Sequence, residues 1–536
     1  MRISMNGKRA LMTGAVAVAV AAFSVSAQAA EYIVKFKSTA EAVAAFNQKS
    51  LSGVSVTDMH ETASLVTVSL DNKASAKATA QKLAELMSRS DVEYVVENAK
   101  IHMLGMPNDP RISEQWSLAK VNAGAAWDTA IGSRNVTVAV IDTGIDHTHD
   151  DLKDNMWKNT AEVAGNNVDD DNNGYVDDTV GWDFKDNDKD PQDLTSSQNP
   201  GHGTHCAGIV GATGNNGVGI SGMAQQVSLM ALRFIGPDGS GDLMGAIKSI
   251  DYAIASKADI ISASWGAKIP ESQATPLVEA IGRTNAAGII FIAAAANDGA
   301  NNDVTSMFPA NANFPNMIAV AASDSSDAKP SWSNYGKAKV AIASPGADIL
   351  SSVPNGNYSK LSGTSMATPM VAGLAAVLQS EAKAAGNPLS GPELRSIMQA
   401  TGAKVAIETA CNCRIDSNAA VNALANNTMI VVPAAATVAP NATGSFSAIG
   451  GSGGYQFVSM SPSTLEVAAD GTFTARAEGE TTVKVTDSSG ATAQSLAIRV
   501  AVANNGGGGG EECPLGDPMI CELICQIMPT LPWCAK

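Results

Sequence analysis

Residues 136–144 read VTVAVIDTG. The apolar and β-branched run 136–141 suits a parallel strand buried on both faces. It ends in Asp142-Thr143-Gly144, which puts an acid at the carboxyl end of a strand, where open α/β sheets build their sites. Similar runs recur at 228–231, 260–263, 288–296 and 317–322, with helical spacing over 241–256 and 366–381. Buried strands alternating with helices predict a doubly wound parallel sheet, an α/β domain over residues 107–430.

Two further segments of that domain carry chemistry. GHGTHCAG at 201–208 brackets His202 with glycines, which let backbones approach closely, and an apolar helix follows. GTSMATP at 363–369 opens a helix of small and apolar residues, with Pro369 tolerated in the first turn. Each segment alone has an ordinary explanation. Asp-Thr-Gly also closes plain turns, a lone histidine is more often structural, and a serine before a helix is usually an N-cap. His205 is the expected structural histidine. Together they change the odds, because a serine nucleophile needs a base and the base needs an orienting acid. The order Asp142, His202, Ser365 argues against an α/β-hydrolase esterase, in which a Gly-x-Ser-x-Gly elbow comes first.

Segments 140–144, 201–208 and 363–369 resemble the three signature blocks of the subtilase family, subtilisin-like serine proteases, with proteinase K- and thermitase-like features. A fourth, AAAN at 294–297, resembles the segment whose asparagine lines the oxyanion hole. The resemblance implies Ser365 as nucleophile, His202 as general base, Asp142 as its orienting acid, and Asn297 with the Ser365 N–H as oxyanion donors. Ala296 departs from the family, which usually has glycine there, and its methyl is expected to crowd the oxyanion loop. Ser264-Trp265-Gly266 resembles the edge segment that pairs with substrate as an added strand; Trp265 then lines a subsite or packs as a core aromatic. Cys206 follows the histidine block as in thiol-containing members, and a buried free thiol behaves as a small hydrophobe.

The stretch DDDNNGYVDD, 169–178, spaces oxygen ligands like an EF-hand without the distal glutamate. Asp169, Asp171, Asn173 and Asp178 are the expected ligands of a structural Ca²⁺. The family resemblance implies a second calcium site from Asp151, Asn216 and Asp109.

Outside the α/β domain, residues 1–29 have a signal peptide's pattern: Arg2, Lys8 and Arg9, an apolar run over 11–25, then Ala27-Gln28-Ala29. Residues 30–106 suggest a small α+β unit with strands at 32–36, 64–70 and 92–96 and a helix at 74–87. It resembles the family's inhibitory propeptide, cut between His102 and Asn108. Short alternating segments over 431–503 predict a small C-terminal β-sandwich, followed by a Gly-rich linker, 504–512, and a Cys-rich tail, 513–536. Six of the seven cysteines can pair, leaving Cys206 over, in the oxidising space that export implies. A net charge of −17 argues against nucleic acid as partner. No later segment is apolar enough to span a bilayer. The expectation is a secreted, monomeric serine endopeptidase, routed outward directly or through a periplasm, made as a self-processing zymogen. Its partners are protein and peptide substrates and its own propeptide. A catalytically dead binding module would lack a triad member or donor, and all are present.

Overall fold

The computed structural model describes residues 31–70, 76–98 and 106–502, and the chain divides into two compact units, Met1–Lys100 and Ile101–Lys536. The signal segment, the Gly-rich linker and the Cys-rich tail with Cys513, Cys521, Cys525 and Cys534 lie outside the described residues.

In the first unit a five-stranded antiparallel sheet runs in the order Ser50–Leu51, Val54–His60, Leu65–Ser69, Glu31–Phe36, Val92–Glu97. Alternation in Glu31–Phe36 puts Tyr32, Val34 and Phe36 inside, where they meet Val66, Val68, Leu83 and Leu86. The helix Ala76–Met87 was foreseen, but Thr39–Gln48 and the strand Val54–His60 were not. Thr39–Gln48 buries only Ala42 and Ala45, so its apolar stripe is faint, and its start is marked by Ser38 accepting from Glu41 N.

The second unit is built on a nine-stranded sheet. Its order is Ala403–Lys404, Cys413–Arg414, Ile342–Pro345, Met317–Ser323, Ile290–Ala294, Ile260–Ala263, Gly132–Asp142, Gln226–Arg233, Gly181–Asp183. All pairs are parallel except Ala403–Lys404 with Cys413–Arg414. Along Gly132–Asp142 the residues serve both faces. Val136, Val138 and Val140 pack with the helices His202–Gly211 and Thr364–Ala384, while Ala139 and Ile141 pack with Leu243–Ala255 and Glu271–Ala286. After this strand the chain builds outward on one side through Gly181–Asp183 and Gln226–Arg233, then crosses to Ile260–Ala263 on the other. Asp142 therefore ends the strand at which the sheet reverses direction, the place where a crevice opens.

From Ile430 to the last described residue the regular elements are all strands, in several short two- and three-stranded sheets, among them Gln456–Ser459 with Val483–Thr486 and Thr492–Gln494. Phe446, Phe457, Leu465, Val483, Val485 and Ile498 form a buried cluster of their own there. Cys411 and Cys413 are joined to each other, and Cys206 is free and buried. Among the described residues, no helix is long and apolar enough to cross a membrane.

Candidate active site

Asp142 is fully buried at the strand end, and its Oδ1 accepts from Thr143 N at 2.7 Å. The same oxygen meets His202 Nδ1 at 2.7 Å. His202 is the first residue of the helix His202–Gly211, with its side chain 26% exposed. The glycines around it are there for space. A Cβ on Gly203 would lie 2.1 Å from the Gly144 carbonyl oxygen, so the helix lies directly against the Asp142–Gly144 turn. Gly201, at φ +95°, would drive a Cβ to 2.2 Å from Pro354 Cδ.

Ser365 lies in the first turn of the helix Thr364–Ala384. Its hydroxyl donates to the Ser264 carbonyl at 2.9 Å, and Ser264 Oγ donates back to the Ser365 carbonyl at 2.9 Å. The structure thus joins Asp142 to His202 directly, while the Ser365 hydroxyl is parked on the neighbouring strand end. Asn297 reaches the same place from the end of Ile290–Ala294. Its Oδ1 accepts from Thr364 N at 2.9 Å and Thr364 Oγ1 at 3.0 Å, which fixes the amide's orientation. The Nδ2 end is left beside Gly363, 3.4 Å from where a Cβ would stand. Ala296, just before it, has φ +91°, a left-handed value that favours glycine and strains a residue with a side chain.

These groups share an open cleft of about 500 Å³, lined by His202, Ser365, Asn297, Ser264, Trp265 and Met307 among others. Of the segment 264–266, Ser264 is buried and Gly266 exposed. Trp265 is both wall and packing residue: its Nε1 donates to the Ile141 carbonyl at 2.8 Å, and its ring stands edge-on to Phe234 at 5.0 Å.

Electrostatics single out His202. Burial pushes its pKa down, but the Asp142 carboxylate beside it prevails, and the imidazole is held well above 6.5. Cys206 lies 3.9 Å from His202 Nδ1 and 3.4 Å from the Ser365 carbonyl, and burial raises its pKa, so it stays a neutral thiol. His205 is pressed down to about 3 by burial and bonds through Nε2 to the carbonyls of Ile349 and Ser359, a neutral structural histidine as expected.

The two acidic regions also assemble. Asp109 and Asp151 are buried. Asp109 accepts from the backbone N–H groups of Asn215 at 3.0 Å and Asn216 at 3.2 Å, and Asn216 Nδ2 donates to Asp151 at 2.9 Å. Burial, with the Asp151 charge adding to it, pushes the Asp109 carboxyl above its ordinary range. Two buried acids that repel one another fit a site for a cation. In the other region, carboxylate oxygens of Glu162, Asp171 and Asp178 come within 4.8 Å of one another. Asn173 bridges Asp171 and Asp178 through Nδ2, at 3.2 and 2.8 Å. Asp169 turns instead to the backbone N–H groups of Asn173 and Gly174, at 3.1 and 2.8 Å. The spacing of 169–178 did not point to Glu162, seven residues upstream; its only signal was an acid in an Asn/Asp-rich loop.

Residues 133–412, just over half of the chain, match the profile of the subtilase family. Thermitase of Thermoactinomyces vulgaris is 39% identical over 282 residues, covering 52% of this chain and 88% of that protein. A thermophilic serine proteinase of Bacillus sp. (strain AK1) is 36% identical over 315 residues, 59% of this chain and 68% of that one. The halolysin-like extracellular serine protease Nep of Natrialba magadii is 30% identical over 348 residues, 65% of this chain and 58% of that one. The chain belongs to the subtilase family, the subtilisin-type serine endopeptidases.

Proposed function

We propose that the chain is an exported serine endopeptidase, made as a precursor, that cleaves peptide bonds in proteins through an acyl-enzyme on Ser365. The observation that carries this reading is the 2.7 Å bond from buried Asp142 to His202, which lines one cleft together with Ser365 and Asn297. The Ser365 hydroxyl swings from the Ser264 carbonyl to His202 Nε2, and its oxygen attacks the substrate's carbonyl carbon while His202 takes the proton. Asp142, bonded to Nδ1, keeps the imidazole in the right tautomer and stabilises the imidazolium. Asn297 Nδ2 and the Ser365 N–H receive the oxyanion. The tetrahedral intermediate collapses as His202 gives its proton to the leaving amine. Water then attacks the acyl-enzyme with the same base, releasing the acid and restoring the hydroxyl.

Substrate lies along residues 264–266 as an added strand, which makes recognition mostly a matter of backbone and sequence preference broad. Asp109, Asp151 and Asn216 would hold one structural Ca²⁺, and Asp171, Asn173 and Asp178, with Glu162, would hold another, Asp169 serving instead to brace the loop through the Asn173 and Gly174 N–H groups. Bound there, the ion supplies charge compensation and takes no part in the reaction. Residues 1–29 direct export, in line with the extracellular relative. Residues 30–106 serve as inhibitory propeptide, removed by a cut between 102 and 108. In that unit Tyr94 and Val96 stand exposed on the strand Val92–Glu97, apolar surface of the kind an inhibitor needs. The enzyme works as a monomer.

The test compares wild type with Ser365→Ala on a denatured-protein substrate, with mass spectrometry of both purified chains. Wild type should digest the substrate and shorten itself near residues 102–108, while the variant stays a full-length precursor. Equal behaviour of the two would overturn the reading.

A further inference from the structure

Asp193 is 2% exposed and makes no ion pair with lysine, arginine or histidine among the described residues. It accepts four hydrogen bonds instead. Thr143 Oγ1 and Asn199 Nδ2 donate to Oδ1 at 2.9 and 2.8 Å, and Thr204 N and Oγ1 donate to Oδ2 at 2.9 and 2.8 Å. The four donors come from three residues, each on a different segment around the Asp142–His202 contact. Thr143 follows Asp142 directly, and its Oγ1 also accepts from Gly203 N at 2.8 Å. Thr204 lies in the first turn of the His202 helix, and its Oγ1 accepts from Asp146 N at 2.9 Å. Asn199 uses its Oδ1 to accept from Gly201 N at 3.0 Å and from His202 N at 2.9 Å. The strand end, the helix start and the entering loop are therefore all referenced to a single carboxylate. That carboxylate also lies at the N-terminal end of the helix, where negative charge is favoured.

We infer that Asp193 is a positioning residue for the reaction: by tying Thr143, Asn199 and Thr204 together it holds Asp142 and His202 in register with Ser365. An asparagine there would turn an amide N–H₂ toward donors that need an acceptor. At least one of Thr143, Asn199 and Thr204 would lose its partner, and the helix start would drift relative to the strand end. Misplacement of a catalytic base by about 1 Å is enough to cost about 10²-fold in rate.

The inference rests on the proposed triad, so the experiment separates the two. Mature wild type and Asp193→Asn are labelled with a phosphonyl fluoride that reacts with an activated serine, which counts active sites and locates the label by mass spectrometry. kcat and KM for a small peptide anilide and the melting temperature are then measured per active site. The expected result is kcat lower by about 10²-fold at nearly unchanged KM, since the defect lies in the base rather than in binding. A Thr143→Val variant removes one of the four bonds and spares the carboxylate, so it reads the same register if Asp193→Asn fails to fold, with a smaller drop in kcat expected. A kcat per labelled site equal to wild type, alongside a lower melting temperature, would reduce Asp193 to a purely structural acid. Failure of wild type to take the label on Ser365 would instead remove the triad itself.

Discussion

Asp193 and Asp178 are both buried acids of the catalytic unit, 2% and 0% exposed, yet their surroundings differ in kind. Asp193 faces hydroxyl, amide and backbone donors, with no second acid in its hydrogen-bond set. Asp178 is also well hydrogen-bonded, by Asn159 at 2.7 Å, Asn173 at 2.8 Å and Tyr252 at 2.5 Å. Its oxygens nevertheless lie within 4.8 Å of those of Glu162 and Asp171. Hydrogen bonds answer the desolvation of a carboxylate, but repulsion among neighbouring carboxylates is relieved only by protons or a cation. The region around Asp193 is thus answered by hydrogen-bond donors alone, whereas the acidic loop also gathers three carboxylates close enough to share a cation.

The sharpest way to probe the first region is to remove its oxyanion donor. Asn297→Ala should lower kcat by about 10²–10³-fold with little change in KM, as expected for a contact made in the transition state. An unchanged kcat would mean that the orientation imposed by Thr364 serves something else.

A second probe is pH. The base must be neutral to act, and the His202 pKa is held above 6.5, so kcat/KM should rise through a midpoint above that value and fall about tenfold per unit below it. Stability moves the other way. The contribution of the His202–Asp142 pair is fully present below the unfolded histidine pKa and is lost as pH rises through the folded one. A pH–rate profile with its acid midpoint below 6.5 would break the electrostatic account of the pair.

The smallest effect is expected in the acidic regions, on stability alone. Excess chelator should lower the melting temperature by an amount equivalent to about 3 kcal/mol, the linkage expected for an ion present at about 100 times its dissociation constant. Glu162→Gln should shrink that difference while leaving kcat intact. A melting curve indifferent to chelator would show that neither cluster binds an ion that matters for stability.

Much of this site was legible before any coordinates. Asp142, His202 and Ser365 each sit beside glycines or at a strand-to-helix change, so their local sequence carries the geometry that the chemistry needs. The parallel sheet was legible for the same reason, since strands such as Ile290–Ala294 are buried on both faces and read as unbroken apolar runs. The acids that act through folding were not. Asp193 and Glu162 lie in irregular loops, and their partners come from other parts of the chain or from side chains with no fixed spacing. Helices with weak patterns were lost too: Glu271–Ala286 contains Pro276, which disguises a regular helix. Ala296 was noticed as a departure from the family, but only its φ of +91° shows that the cost is borne by the backbone.

The most direct test of the central claim compares kcat for His202→Ala, Ser365→Ala and the double variant on one peptide anilide. If the two residues act as one machine, each single change should cost on the order of 10⁶-fold and the double variant no more than either alone. Losses that multiply in the double variant would show that His202 and Ser365 act independently, and the triad account would fall.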